Sequence, residues 1–140
     1  MSSAAKLYTP QVLALAASLA RFPLSDELPL RGQARSATCG SAIELGLALN
    51  ADGAVGEAGL RAHACAIGQA AAAIFAEGVA GQNEQAIRTA HAGIETWLAG
   101  GELPDWPGFE SIAAARDYPA RHGAILLAWR AALAAFDTRG

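Results

Sequence analysis

SAIELGLALNADGAVGEAGLRAHAC, residues 41–65, is the stretch that decides the fold. Ile43, Leu45, Leu47 and Leu49 alternate with smaller or polar residues, the period of a half-buried strand. Asn50, Asp52 and Gly53 are turn formers, so the chain is expected to reverse there as a hairpin. The returning run sets Ala58, Leu60, Ala62 and Ala64 on one face and Glu57, Arg61, His63 and Cys65 on the other. With QARSAT, residues 33–38, as a weaker first strand, the three runs predict an antiparallel meander.

Past Cys65 the pattern changes. AIGQAAAAIFAEG, from Ala66 to Gly78, is alanine-rich and predicts a helix. A second helix is expected over Glu84–Leu98, with Ile87, Ala90, His91, Ile94, Trp97 and Leu98 spaced by threes and fours and with Gly100 and Gly101 to stop it. ELPDWPGF reads as a loop, Glu110–Ala115 as a short helix, and Gly123–Phe136 as a last helix burying Ile125, Leu126, Trp129, Leu133 and Phe136.

Upstream of the hairpin, FPLSDELPLRG carries two prolines and reads as a loop. VLALAASLA, after Lys6, has the look of a signal-peptide core, but the amphipathic reading is better. Thr9 suits an N-cap, Pro10 suits the first helical position, and Val12, Leu13, Ala16 and Leu19 share a face, so a helix is expected from Pro10 to Arg21. The fold class that follows is α+β: a small three-stranded antiparallel sheet packed against about four to five helices, in one domain over residues 1–140.

The 140 residues are 53% hydrophobic and 16% charged, a composition for a core rather than for disorder. A net charge of −3 without a basic run argues against nucleic acid as a partner. No apolar run is long enough to span a bilayer, which argues against a membrane partner. Two cysteines are too few for a disulfide framework, and the compartment expected is the cytoplasm.

Those two cysteines are the candidate chemistry. In a meander, Cys39 lies in the connection between the first two strands and Cys65 just after the third, so both belong at one end of the sheet. Cys65 also precedes a helix, where unpaired N–H groups favour the thiolate over the thiol. His63 is two positions before Cys65 on the same side of an extended strand, and His122 reaches the site if the last helix starts there. These are candidate extra ligands beside solvated or structural readings. Two buried core thiols or a reversible disulfide are the plainer accounts of the cysteines, since two thiols do not complete a zinc or iron–sulfur shell. Arg121 reads as an anion contact or as a solvated loop residue, and the three tryptophans show no stacking pattern.

In order along the chain, LYTPQVLALAASLARFP, TCGS (residues 38–41), AHACAIGQAAAAIFAEGVAGQ and YPARHGAILLAWRAAL resemble the helix, cysteine-loop and final-helix segments of the IscU/SufU/NifU-type iron–sulfur scaffold proteins. LPDWPGFESIAAARDYPAR is similar to the longer connection of the SufU branch. The resemblance implies a three-stranded antiparallel sheet with helices packed on it. It also implies sulfur received from a pyridoxal-phosphate cysteine desulfurase, and an iron–sulfur cluster or a zinc site as cofactor. The family site is a loop cysteine, an aspartate after its glycine, and two further cysteines. Cys39 and Cys65 match the first two cysteines, whereas the aspartate position is Ser41 and the third-cysteine position is Ala124. The histidine that some branch members carry before the third cysteine falls on Gly123, one place after His122.

The resemblance therefore implies a scaffold or sulfur-relay protein working through Cys39 and Cys65, a sulfur acceptor rather than a self-contained enzyme. Its metal shell would need His63, His122, water or a second chain to complete it. The alternative is a degenerate member that keeps the fold and a binding surface, without a stable metal site and with no cofactor. A two-cysteine redox switch is a third reading.

Overall fold

The computed structural model describes residues 7–37 and 40–138. Its strands are β1 (Leu30–Arg35), β2 (Ala42–Leu49) and β3 (Val55–His63), in the order β1-β2-β3, each pair antiparallel. Its α-helices are α1 (Pro10–Ser18), α2 (Ala66–Gly78), α3 (Glu84–Leu98) and α4 (His122–Asp137). Tighter 3₁₀ turns cover Leu19–Arg21, Phe109–Asp117 and Pro119–Arg121. This is the α+β class the alternation and periodicity predict.

The hairpin forms as its residues require. Gly53 adopts a positive φ of 87°, Asn50 N–H donates to Ala54 C=O at 2.8 Å, and the Asp52 carboxylate accepts from Ala54 N–H at 3.0 Å. The register sets Ile43 against Ala62, Leu45 against Leu60 and Leu47 against Ala58, so the alternating apolar residues share the inward face.

β1 departs from expectation. The sequence pattern points to QARSAT as the strand and to FPLSDELPLRG as a loop, but the strand begins at Leu30, inside that loop, and ends at Arg35. The inward positions of β1 are Leu30, Gly32 and Ala34, and after Leu30 the glycine and alanine are too small to carry a hydrophobic alternation. Their size has a use. A Cβ at Gly32 would run into the Ala131 carbonyl oxygen and the Ala135 backbone, so only glycine lets α4 lie this close over β1.

α2 is the central helix, with Ala70–Ala73, Ile74 and Phe75 all buried. α4 is buried beyond its large residues, since Ala128, Ala131, Ala132 and Ala135 are enclosed as well. Alanine fills little volume, so helices built from it pack at short range. At the far end of the core, Phe75 stacks on Trp106 with centroids 5.8 Å apart, while Trp129 meets both rings edge-on at 5.3 and 5.4 Å. Trp97 and Phe109 extend this cluster at 5.7 Å. Each such ring pair contributes roughly 0.5–1.5 kcal/mol beyond its burial. The stacking joins α2, α3, the 104–109 loop and α4, which is why no period along the sequence announces it.

α1 starts as read: Thr9 caps it, accepting from Val12 N–H at 3.2 Å, with Pro10 first. Its buried face differs. Val12 is buried and Leu15 and Leu19 pack on the core, whereas Leu13 is 51% exposed. No helix among the described residues is long and apolar enough to cross a membrane.

Candidate functional site: the sheet end where two helices begin

Residues 36–41 connect β1 to β2. The connection is closed by Ser36 N–H donating to Ser41 C=O at 2.8 Å and by Gly40 N–H donating to Ser36 C=O at 3.2 Å, with Gly40 at a φ of 70°. Thr38 and Cys39 lie outside the described residues. The ladder continues Arg35 to Ala42 to His63, so the connection stands at the end of the sheet where β3 stops.

Two residues after His63, Cys65 is the N-cap of α2. Its backbone is extended (φ −64°, ψ 170°), and its C=O accepts the first helical bond from Gln69 N–H at 2.9 Å. The thiol is free and half-buried, and it makes no capping bond. The Gln69 side chain folds back to donate to Ala64 C=O at 2.9 Å, fixing the chain on the approach to Cys65.

α4 begins against the same turn of α2. A Cβ at Gly68 would stand 2.8 Å from the Ala64 Cβ and 3.2 Å from the Ala124 Cβ. Ala124 is 1% exposed and Ser41 4%. The residues matching the family ligands thus border one region: Ser41 beside the β1–β2 connection, Cys65 at the start of α2, Ala124 on the first turn of α4.

The histidines take separate positions. His63 ends β3 on its exposed face, opposite Ala42. His122 opens α4, the helix start that would bring it near the site, but its Nε2 donates to Arg116 C=O at 2.7 Å. A carbonyl only accepts, so that nitrogen carries the proton. His91 is half-buried on the inner side of α3, as its spacing predicts, with Nδ1 3.5 Å from Glu95 Oε1. Arg121 is not a solvated loop residue: it is half-buried and donates to the Tyr8 hydroxyl at 3.2 Å, tying the segment before α4 to the chain ahead of α1.

Among the described residues, no three His, Cys, Asp or Glu side chains gather as a metal site. At the positions matching the family ligands, a buried methyl at Ala124 and a buried hydroxyl at Ser41 replace a thiolate and a carboxylate. The chain supplies at most two thiolates there, and a closed four-ligand zinc or cluster shell does not fit these residues.

The family model described as "NifU-like N terminal domain" matches residues 21–123. The fold is that of the NifU- and SufU-type scaffolds of iron–sulfur cluster assembly. The chain belongs to the NifU-like N-terminal domain family. A nitrogen-fixing NifU-like protein (N-terminal) from Brucella abortus superposes with a TM-score of 0.87 at 27% identity, covering 97% of this chain and 96% of that one. A putative iron–sulfur cluster assembly scaffold protein for the SUF system from Fervidobacterium islandicum AW-1 shares the fold, with a TM-score of 0.82 at 19% identity over 93% of this chain and 97% of that one. No curated protein matches the chain in sequence.

Proposed function

We propose that this protein is a sulfur acceptor of iron–sulfur cluster assembly, taking sulfur from a cysteine desulfurase on Cys39 and Cys65. The observation that carries the reading is Cys65: a free, half-buried thiol at the start of α2, at the sheet end where the 36–41 connection closes. A thiolate there attacks the outer, sulfane sulfur of a desulfurase persulfide. A new S–S bond forms on this chain, the old one breaks, and the desulfurase cysteine leaves as a thiolate. The chemistry needs a nucleophile and access, not a metal. The acquired sulfur passes onward by the same exchange, and the cluster is the product of the pathway rather than a resident group. The work belongs in the cytoplasm, where free thiols persist.

A second reading rests on Ala124 and Ser41: the protein binds the desulfurase without taking sulfur. One experiment separates the two. The chain is incubated with a cysteine desulfurase and L-cysteine, and intact mass is read before and after reduction. The first reading expects a reducible gain of sulfur that is abolished in Cys39→Ser,Cys65→Ser. Complex formation without any gain in mass overturns it in favour of the second.

A further inference from the structure

The two edges of the sheet differ. Along β3 the chain covers its own edge: Leu60 N–H donates to Phe22 C=O at 2.8 Å, and Pro23 bridges Leu60 in parallel. The outer edge of β1 has no such cover among the described residues. Because Ser36 N–H bonds Ser41 C=O in register with the ladder, Ala34–Ile43, Gly32–Leu45 and Leu30–Leu47 are its hydrogen-bonded pairs. The N–H and C=O groups of Arg31, Gln33 and Arg35 therefore point away from β2. Among the described residues no backbone group meets them. The Arg130 guanidinium alone reaches the Arg35 C=O, at 3.5 Å, a bond at the limit of length. A groove of about 310 Å³ lies here, lined by Arg31, Gly32 and Gln33 of β1, by Glu44 and Leu45 of β2, and by Ala134 of α4 and Thr138 at its C-cap.

Charge says what fits. Arg31, Gln33 and Arg35 are exposed on one face of β1, and Arg130 is exposed beside Arg35. Among the described residues neither Arg35 nor Arg130 has a carboxylate partner. Arg31 donates to the Leu28 C=O at 2.8 Å and to the Ser25 C=O, with Asp26 at 3.8 Å, so Arg35 and Arg130 carry the uncompensated charge. Glu44, next to Gln33, is held by Arg61 at 3.2 Å. A second copy of β1 suits this edge badly. Antiparallel pairing centred on Gln33 would set an Arg31 against an Arg35 twice, and like charges directly opposite destabilise a pair.

We propose that the outer edge of β1 is a docking site for an extended, acidic segment of a partner protein, added as a fourth strand. Main-chain bonds come from Arg31, Gln33 and Arg35. Two carboxylates at the spacing of Arg31 and Arg35 face those arginines, with a neutral residue opposite Gln33 to avoid Glu44. Small apolar side chains on the other face enter the groove beside Ala134. The incoming strand replaces the long Arg130–Arg35 contact and frees Arg130 to join the carboxylate near Arg35. No cysteine takes part, so the proposal stands apart from sulfur acceptance. Its consequence for that function is position, since β1 runs straight into the 36–41 connection.

The test uses the full chain, isotope-labelled, and a short blocked peptide with two glutamates four positions apart, threonine midway and valine between them. The expected result is shifted and exchange-protected amides at Arg31, Gln33 and Arg35. No response is expected to the same peptide with lysines for glutamates. Arg35→Glu,Arg130→Glu should weaken binding about tenfold or more. Gln33→Pro should weaken it too, since the lost N–H points away from β2 and the β1–β2 ladder is spared. Equal response to both peptides, shifts confined to another surface, or full binding by Gln33→Pro would overturn the proposal. So would reversible dimerisation of the free chain that protects the same amides.

Discussion

The two ends of the core are built from opposite materials. At one end Phe75, Trp97, Trp106, Phe109 and Trp129 touch ring to ring, all enclosed. At the other, α2 and α4 begin against each other through Ala64, Gly68 and Ala124, with the aliphatic Ile67 and Ile125 buried on the same first turns. Stability is concentrated where area is buried, because apolar burial scales with the surface removed from water. The site end draws its burial from the aliphatic Ile43, Ile67 and Ile125, not from a metal shell. That difference accounts for a family fold retained around an incomplete ligand set.

The largest expected effect tests the aromatic end. Trp129→Ala removes a fully buried ring that touches Phe75, Trp106 and Phe109, and urea unfolding should show a loss of about 3–5 kcal/mol. Trp129→Phe should cost far less, on the order of 1 kcal/mol, because the Trp129 Nε1–H is buried with no acceptor among the described residues. Equal losses in the two variants would break the picture of a cluster held by ring contact.

The next effect belongs to the site end. The wild type should bind zinc weakly, and Ser41→Asp,Ala124→Cys should bind it about a hundredfold more tightly or better, in competition with a chromogenic chelator. Both positions are buried, Ala124 against Gly68 of α2 and Ser41 where the 36–41 connection closes, so the added groups join a preformed frame. An unchanged affinity would mean that the 36–41 connection and α4 no longer aim at one point. Tight zinc in the wild type would mean that His63, His122 or a second chain already completes the shell.

The smallest effect sets stability against chemistry at one residue. Cys65 occupies an N-cap without making a capping bond, and serine is among the preferred residues there. Cys65→Ser should therefore leave stability unchanged or raise it by about 0.5–1 kcal/mol in denaturant titration, while sulfur uptake at this position is lost. A clear destabilisation would show that the thiol is a packing residue, and the contrast between the two ends would lose its sharpest case.

Local pattern carried much of the fold. α3 runs over the predicted residues because its apolar face repeats by threes and fours between an Asn83 cap and the Gly100–Gly101 stop. α2 and the β2–β3 hairpin are similarly self-declared. Leu13 misled because it lies at helical spacing from Val12 and Ala16, yet the core meets α1 on the side of Val12 and Leu15. Arg121 misled because its partner, Tyr8, is far away in sequence. Of the site, the helix-start position of Cys65 and the gaps at Ser41 and Ala124 were legible. The Arg116 carbonyl on His122 was not, because it is reached only through the 3₁₀ turns before α4.

By itself, then, the sequence determined the elements whose signals are periodic or local: the amphipathic helices, the hairpin turn, the caps, and the place of Cys65 at the start of a helix. Only the tertiary structure decided where β1 begins, which residues form the aromatic cluster, and how α2 and α4 meet. Those features depend on contacts between residues distant along the chain. The clearest is Gly32, whose missing side chain looks like weakness in a strand until the backbone of Ala131 is set against it. Period and propensity record what each residue asks of its neighbours in sequence, whereas close packing is settled by partners that only folding brings near.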